Sequence, residues 1–384
     1  AEVPEEFDIE ILIEECGASI SFTEEEEASH FVYTEAEGKF KDGFKRFLYR
    51  ALKRATGKAL PWGNLTGIRP TKIAYGMLEN GCSDEEIAEF LKKSHYVSDE
   101  KIALSIDIAK REMALLSDVH YEGGYSLYIG IPFCPTTCLY CSFTSYPIAG
   151  YRKVVEDYID CVIKEMEYVS EKYKHKILDS VYIGGGTPTT LEAGQLDCMI
   201  SRLKELFDFS TVKEFTVEAG RPDTLDEEKL SIIRKFAGRI SINPQSMNDA
   251  VLKACGRPHT GKAIEDLARK AKALSFDAIN MDLIAGLPMD TVESFRDSLD
   301  RVLALEPENI TVHTLALKKG ADLFEKQQSL PTEEEVTQMV EYANRVLPQY
   351  GYKPYYLYRQ KYMSGSFENI GWSKKDKDCL YNIY

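Results

Sequence analysis

The sequence predicts an α/β protein built on a parallel sheet, preceded by a smaller α+β domain. Two observations support this prediction. After Gly123-Gly124, short β-rich segments alternate with amphipathic helical segments as six consecutive βα units. Before that glycine pair, a few short strands are followed by a long helical region with no such alternation. Six βα units in order imply a parallel sheet, either open or curved into part of a barrel.

The six units have regular boundaries. The predicted strands cover residues 126–131, 180–184, 214–218, 239–243, 278–283 and 310–315. The predicted helices cover residues 151–173, 191–207, 226–236, 260–274, 293–305 and 332–348. Ligands of parallel sheets bind at the carboxyl ends of the strands, so polar residues at those ends are candidate site residues.

The first 120 residues predict the α+β accessory domain. Alternating runs predict strands within residues 7–13, 19–22 and 31–34, and the pattern becomes helical from Phe44 to about Leu116. Ser83 and Glu86 form a capping-box pattern for one helix of this region. We therefore expect an accessory domain at 1–120, a barrel at 121–320 and a C-terminal extension at 321–384.

Composition excludes several classes of protein. The 384 residues contain 62 acidic and 47 basic side chains, and this net charge of -15 opposes non-specific binding to nucleic acid or anionic membranes. No apolar stretch approaches the roughly 20 residues of a membrane span, and the first residues do not resemble a signal peptide. We expect a cytoplasmic protein with no membrane partner.

Three of the nine cysteines form a compact cluster directly after the first predicted strand of the barrel. Cys134, Cys138 and Cys141 have the spacing Cys-x-x-x-Cys-x-x-Cys, which suits one soft metal centre. Three thiolates would leave one iron of a [4Fe–4S] cluster open to a small molecule. A zinc site is the alternative, but it needs a fourth ligand, and the nearest candidates are His120 and Cys161. The other cysteines are expected to be free: Cys16, Cys82, Cys161, Cys198, Cys255 and Cys379.

A glycine run ends the second predicted strand. Gly184, Gly185 and Gly186 lack Cβ atoms, so the backbone can approach a ligand closely, and Thr187 follows them. No Gly-Lys-Ser/Thr sequence follows, so a phosphate loop is not indicated. A tight turn from strand to loop is the alternative explanation.

The cysteine spacing, with Tyr140 just before the last cysteine, resembles the signature of the radical S-adenosylmethionine (SAM) superfamily. The resemblance implies a partial (β/α)6 barrel and a [4Fe–4S] cluster held by the three cysteines. Its open iron would chelate SAM, and reductive cleavage would give a 5′-deoxyadenosyl radical. In this family a glycine motif such as 184–187 contacts the methionine part of SAM.

Four later residues extend the resemblance to the oxygen-independent coproporphyrinogen III oxidase branch of the superfamily. The resemblance implies a carboxylate near SAM at Glu218, a further strand-end contact at Gln245, a partner for the SAM carboxylate at Arg257 and a ribose ligand at Asp282. Taken singly, each could be a cap or a surface ion pair. Three more positions match SAM-contacting positions of the branch: Tyr128, Tyr140 and Ala316.

The whole chain, including the segment 60–72, is similar to the HemZ group of coproporphyrinogen dehydrogenase-like proteins, which usually continue beyond Tyr384. The implied reaction is oxidative decarboxylation of propionates to vinyl groups. Phe143 departs from the oxidases, which have a further cysteine there. Related haem chaperones share an aromatic at that place, but their His-Asn-x-x-Tyr-Trp motif is missing from this sequence. Three alternatives therefore remain: methylation of haem, cleavage of the haem ring, and haem transport without catalysis. Modification of tRNA is a further, less favoured alternative.

The resemblance also implies partners. The substrate would be a tetrapyrrole, coproporphyrinogen III or haem, and the electron donor a low-potential protein such as flavodoxin or ferredoxin. Three cationic residues are candidates to bind the propionates of the tetrapyrrole: Arg69, Lys72 and Arg221. His313 could contact substrate or haem iron, although a hydrogen-bonded barrel histidine is the simpler expectation. A basic stripe in the accessory domain is either a solvated helix face or an anion-binding surface: Lys45, Arg46, Arg50, Lys53, Arg54 and Lys58.

Overall fold

A computed structural model describes the chain in seven segments: residues 9–14, 17–22, 29–32, 39–120, 122–325, 329–361 and 367–383. The chain divides into two compact units, Ala1–Ala109 and Lys110–Tyr384. The predicted boundaries at 120 and 320 stay predictions, and the two compact units are described separately below.

The first unit contains a small antiparallel sheet and helices. Its strands pair in the order β1-β2-β3 and comprise β1 (Ile9–Glu14), β2 (Gly17–Phe22) and β3 (Ser29–Val32). The helices that follow are α1 (Phe40–Thr56), α2 (Thr71–Glu79), α3 (Asp84–His95) and α4 (Asp99–Leu116), the last of which continues into the second unit. Ser83 accepts a hydrogen bond from the Glu86 backbone at the start of α3, so the predicted capping box is confirmed.

Helix α1 packs its apolar face on β2. Phe47 and Ala51 are buried against Ile20, because apolar residues recur at helical spacing along α1. Arg50, in the basic stripe on the other side of the helix, is exposed. The helix therefore has the amphipathic form that the sequence predicts.

The second unit is built around an eight-stranded sheet. Six of its strands pair in parallel with their neighbours: β4 (Gly124–Ile131), β7 (Ile177–Gly185), β8 (Glu214–Glu218), β9 (Arg239–Gln245), β10 (Ala278–Ala285) and β11 (Asn309–Thr314). With the edge strands β12 (Lys353–Tyr358) and β13 (Asn369–Ser373), the order is β12-β13-β11-β10-β9-β8-β7-β4. The predicted parallel sheet of six βα units is thus confirmed.

Four strands were not predicted. Two lie antiparallel beside β11 and extend the sheet, and two form a short parallel pair next to the cysteines. They are β12 (Lys353–Tyr358), β13 (Asn369–Ser373), β5 (Phe133–Cys134) and β6 (Tyr146–Pro147). Because β12 and β13 are antiparallel, they interrupt the βα alternation on which the prediction rested.

Helices follow each of the six parallel strands, as predicted. They are α5 (Ile148–Tyr151), α6 (Val155–Tyr173), α7 (Ala193–Leu206), α8 (Glu227–Phe236), α9 (Asp249–Ala254), α10 (Gly261–Ala273), α11 (Val292–Ala304), α12 (Asp322–Glu325) and α13 (Glu333–Val346). Of these, α12 and α13 lie between β11 and the antiparallel strands. No helix within the described ranges combines the length and hydropathy of a membrane span.

The sheet core is continuous and apolar. Ile183, Val217 and Ile242 on successive strands are fully buried, as expected for parallel strands covered by helices. The parallel register places the carboxyl ends of all six strands at one edge. Polar side chains at those ends therefore meet in one region.

Candidate functional site

The cysteine loop is fixed by the segments on either side of it. Cys134 lies on β5, and the Cys141 backbone N–H donates to the Cys138 carbonyl at 3.0 Å. Between them, Leu139 donates to the carbonyl of Cys255 at 3.1 Å, and its own carbonyl accepts from the Leu323 N–H at 2.8 Å. The loop is therefore ordered by backbone contacts with distant parts of the chain.

The three thiols lie in different surroundings. Burial raises the pKa of Cys134, and a contact with Thr187 Oγ1 at 3.4 Å partly offsets the increase. Burial also raises the pKa of Cys141, which the backbone N–H of Phe143 opposes. A coordinated metal deprotonates a thiol outright, so donors already placed beside sulfur stabilise the thiolate that a metal centre needs.

Cys138 lies next to the Arg257 guanidinium. Arg257 Nη1 is 3.6 Å from Cys138 Sγ and 3.2 Å from Tyr140 Oη, and its Nη2 donates to the carbonyls of Gly220 and Asn243 at 2.7 Å each. Arg257 is 5% exposed. A buried cation beside the cysteines can attract an anionic ligand without further reorganisation.

A second buried arginine stabilises the same loop. Arg221 pairs through two hydrogen bonds with Asp223, and it also donates to Thr136 Oγ1 at 3.2 Å. Partial burial alone would raise the pKa of Asp223, but His259 and Arg221 hold it well below its usual range. We expected Arg221 to bind a substrate propionate, but its guanidinium is already hydrogen-bonded to Asp223 and Thr136, so this expectation loses its support.

The glycine run brings the end of β7 against the cysteine loop. Gly185 has a φ of +108°, in the region that favours glycine, and a Cβ there would lie 2.9 Å from the Ile131 nitrogen. A Cβ on Gly186 would lie 3.0 Å from Cys134 Sγ. Only glycine permits this approach, and it places Thr187 beside Cys134.

Two carboxyl groups line the cavity: Glu218 ends β8, and Asp282 lies within β10, three residues before its end. Tyr182 Oη donates to Glu218 Oε1 at 2.7 Å, and Asn280 donates to Asp282 Oδ1 at 2.8 Å. Burial, together with repulsion from Asp282, raises the pKa of Glu218 to about 7, although the Tyr182 hydrogen bond lowers it. Glu218 can therefore gain or lose a proton near neutral pH.

Gln245 ends β9 in a strained conformation. Its φ is +68°, which is uncommon for a residue with a side chain. Its Oε1 atom is buried and has no hydrogen-bond partner in the described part of the chain, and the same is true of Thr314 Oγ1 and Asn369 Nδ2. Buried polar atoms in proteins are normally paired, so three such atoms indicate a place for a ligand.

A cavity of about 830 Å³ connects these residues. The following predicted site residues line it: Tyr128, Cys134, Cys138, Tyr140, Cys141, Gly185, Gly186, Thr187, Glu218, Gln245, Arg257, Asp282 and Ala316. Gly184 does not, although a Cβ on it would lie 3.1 Å from the Glu218 carboxyl carbon. The structure thus brings the predicted set together, while the individual roles stay predictions.

His313 lies at the same sheet edge and is hydrogen-bonded. Its Nδ1 atom is 3.1 Å from Tyr358 Oη, and its Nε2 atom is 3.7 Å from Asp282 Oδ2. This matches the expectation of a hydrogen-bonded barrel histidine. Arg69 and Lys72 lie in the first unit, at the start of α2, and their predicted role stays a prediction.

Sequence reasoning missed several tyrosines of the cavity. Tyr182 and Tyr381 stack with ring centroids 4.6 Å apart, and Tyr128 stacks on Tyr381 at 5.8 Å. Tyr356 and Tyr358 on β12 also line the cavity. The density of tyrosine, 23 in 384 residues, was the available signal, but strand tyrosines usually indicate only core packing.

Comparison with known proteins agrees with this geometry. A family model described as the Radical SAM superfamily matches residues 128–302, which contain the cysteine loop and most of the parallel strands. The fold and the site therefore define a radical SAM protein. More specifically, the chain is 41% identical over 357 residues to the oxygen-independent coproporphyrinogen-III oxidase-like protein HemZ of Bacillus subtilis (strain 168). That match covers 89% of this chain and 71% of the relative, so the chain belongs to the HemZ family.

Two further similarities are more distant. The heme chaperone HemW of Lactococcus lactis is 32% identical over 234 residues, covering 60% of each chain. The structure of coproporphyrinogen III oxidase (HemN) from Escherichia coli, described as a radical SAM enzyme, superimposes with a TM-score of 0.58 at 25% identity. That superposition covers 69% of this chain and 59% of HemN. The chain thus spans about three fifths of these two relatives.

The residues of the cavity fit a [4Fe–4S] cluster and SAM. Three thiols face a space that also contains unpaired buried polar atoms, an arginine and two carboxyl groups. Among the described residues, no group of three Cys, His, Asp or Glu side chains surrounds a single metal-ion position. In a cubane each thiolate binds a different iron, so the ligands need not meet at one point.

Proposed function

We propose that this protein is a radical SAM oxidoreductase that acts on a tetrapyrrole, converting propionate groups to vinyl groups by oxidative decarboxylation. The observation that carries the proposal is the cavity, which joins the cysteine loop to the strand-end residues in a member of the HemZ family. Its volume of about 830 Å³ lies toward the upper end of the ~300–1,000 Å³ usual for ligand sites.

Each step of the proposed chemistry has a candidate residue in this chain. Cys134, Cys138 and Cys141 would hold the cluster, and the two cofactors together would supply one-electron chemistry at a carbon–hydrogen bond. Arg257 is positioned to attract the SAM carboxylate through its Nη1 side, where it contacts Tyr140 rather than a carboxylate. These assignments are supported by the shared cavity and by the buried position of the guanidinium.

The strand-end carboxyl groups would bind the polar parts of SAM. Asp282 has one oxygen hydrogen-bonded to Asn280 and another near His313, so it can accept hydrogen bonds from ribose hydroxyls. Glu218, with its pKa near 7, can hold or release a proton beside SAM. Gln245 offers an unpaired carbonyl oxygen to an N–H or O–H donor of the ligand.

Aromatic side chains would shield the reaction from water. Tyr128, Tyr182 and Tyr381 form a stacked group on the cavity surface, and their apolar faces reduce the number of water molecules near a reactive radical. The same faces suit a flat macrocycle. The electron that starts the reaction would come from a low-potential protein such as flavodoxin or ferredoxin.

Haem transport without turnover is the second candidate. The similarity to HemW favours it, and so does Phe143, the aromatic that follows the cysteines where the oxidases have another cysteine. Haem modification by methylation or ring opening would use the same cavity. Each of these functions predicts a different product.

One incubation distinguishes them. Anaerobically reconstituted protein, SAM and a low-potential reductant are supplied separately with coproporphyrinogen III, haem and an unmodified tRNA pool. We expect vinyl products and CO2 from coproporphyrinogen III, and neither from a Cys138→Ala variant. A methylated or opened macrocycle would indicate haem modification, and stoichiometric haem binding without turnover would indicate transport. Altered tRNA with no tetrapyrrole binding would contradict the proposal.

A further inference from the structure

The described residues that line the cavity include three cations, and two of them are already engaged. Arg221 is paired with Asp223, and Arg257, whose Nη2 donates to two backbone carbonyls, is the proposed partner of the SAM carboxylate. The third is Lys318, whose side-chain ammonium has neither a hydrogen bond nor an ion pair within the described parts of the chain. Its ammonium lies 5.7 Å from the centre of the Phe143 ring. Lys318 is therefore the lining cation that is open to an anion.

Phe143, the ring beside Lys318, is largely exposed to solvent. Its side chain is 68% exposed although it is large and apolar, and it lines the same cavity. Leaving such a ring in water is unfavourable by about 25 cal/mol per Å² of apolar surface. A ring and a cation side by side at the cavity surface can bind a ligand that is both flat and anionic.

The backbone fixes both residues close to the third cysteine. Phe143 follows Cys141 by two residues, and both of them line the cavity together with Lys318. Lys318 lies in the segment after β11, where a Cβ on Gly320 would be 4.0 Å from Ser142. The pair is therefore positioned next to the cluster-binding loop and not at a remote surface.

The carboxyl groups of the cavity limit what else can bind. The acidic residues of the described lining are Glu218, at the end of β8, and Asp282, within β10. A ligand carboxylate directed toward them would meet like charge in a partly desolvated space. A polycarboxylate ligand can thus place one carboxylate at Lys318 and must direct the others outward.

We propose that Phe143 and Lys318 form a subsite for the substrate, in which the ring of Phe143 takes the face of a pyrrole and Lys318 binds a single propionate. The inference rests on the proposed tetrapyrrole function and adds the residues that orient the macrocycle beside the cluster. Binding depends on one carboxylate, so the cavity does not require the full set of propionates of coproporphyrinogen III.

The test uses mesoporphyrin IX, which carries two propionates, and its diamide, in which both are neutral. Binding to anaerobically reconstituted protein is measured by quenching of porphyrin fluorescence. The Lys318→Met variant should bind mesoporphyrin about tenfold more weakly, as expected for loss of one charge-assisted hydrogen bond, and the diamide as before. Phe143→Ala should weaken both ligands. Lys319→Met, at the neighbouring exposed lysine, should change neither.

Other outcomes would overturn the subsite. A Lys318→Met variant that still prefers mesoporphyrin over its diamide as strongly as the unmodified protein would show that the carboxylate binds elsewhere. Slower reduction of the cluster by flavodoxin with unchanged porphyrin binding would assign the pair to the electron donor. If the unmodified protein binds neither porphyrin, the tetrapyrrole function itself fails, and the subsite fails with it.

Discussion

Glu218 ends β8 inside the cavity, where Tyr182 donates a hydrogen bond to its carboxyl group. Its environment combines burial and the nearby charge of Asp282, and both favour the protonated form. Arg221 and Asp223 show the opposite arrangement, since their contact stabilises the two charges. The cavity thus contains one carboxyl group that titrates near neutrality, whereas Asp223, which pairs with the lining residue Arg221, stays ionised.

Glu218→Gln should change how stability depends on pH. In the folded protein Glu218 keeps its proton up to about pH 7, whereas in the unfolded chain a glutamate loses it near pH 4.3. The folded state therefore binds more protons between these values, and stability falls as pH rises from about 4.3 to 7. The unfolding free energy of Glu218→Gln minus that of the unmodified protein should therefore increase by about 2–3 kcal/mol as the pH rises from 5 to 8.

Denaturant unfolding at a series of pH values measures this difference. Glu228→Gln, on the exposed face of α8, is the matched control and should give a difference that hardly changes with pH. A constant difference for Glu218→Gln as well would show that the carboxyl group is not destabilised by its surroundings.

At the scale of elements, the parallel register brings the carboxyl ends of the strands together. The C-terminal segment contributes Tyr381 to the lining of the cavity. Tyr381 reaches the cavity because Glu214, at the start of β8, accepts the backbone N–H groups of Leu380 and Tyr381 at 3.0 and 3.3 Å. Arg239, at the start of β9, pairs with Glu214 at 3.1 Å and donates to the carbonyl of Asp378. A buried ion pair at the amino ends of the strands thus positions a tyrosine of the site.

Arg239→Met should be strongly destabilising, by about 3–5 kcal/mol, because Glu214 would be left buried without its cationic partner. Arg202→Met is the matched control: Arg202 pairs with Glu167 and Glu205 at the surface, and its loss should change the free energy of unfolding far less.

Two measurements check this prediction. Denaturant unfolding gives the free energies, and hydrogen exchange should accelerate at the amides of Leu380 and Tyr381 in Arg239→Met. The double variant Arg239→Met/Glu214→Gln should recover part of the loss, since it removes the unpaired charge. Equal losses for Arg239→Met and Arg202→Met would show that the buried pair does not stabilise the C-terminal segment.

At the scale of the whole molecule, every described residue that lines the cavity belongs to the second compact unit, Lys110–Tyr384. The first unit contributes the basic stripe of α1 and the candidate cations Arg69 and Lys72, whose part in substrate binding stays a prediction. The chemistry that we propose therefore depends on the second unit. The cationic residues of the first unit are candidates for binding a partner.

Much of this arrangement is predictable because local sequence determines it. The predicted strand of 214–218 matches β8, and Cys134 and Glu218 line one cavity, as expected for residues near the ends of parallel strands. Arg257 lines it too, although it lies between α9 and α10. The antiparallel strands β12 and β13 follow no βα pattern and were missed. Tyr381 was missed because a distant ion pair positions it, and the engagement of Arg221 because Asp223 lies next to it only in the folded chain.

Cys134, Cys138 and Cys141 should bind a [4Fe–4S] cluster that acts on SAM. The most direct test measures iron and 5′-deoxyadenosine together in anaerobically reconstituted protein with SAM and a low-potential reductant. We predict about four irons per chain and formation of 5′-deoxyadenosine, both lost in Cys138→Ala. Cys161→Ala, at an exposed cysteine of α6, should keep both. Stoichiometric zinc without iron in protein purified without oxygen would contradict the claim.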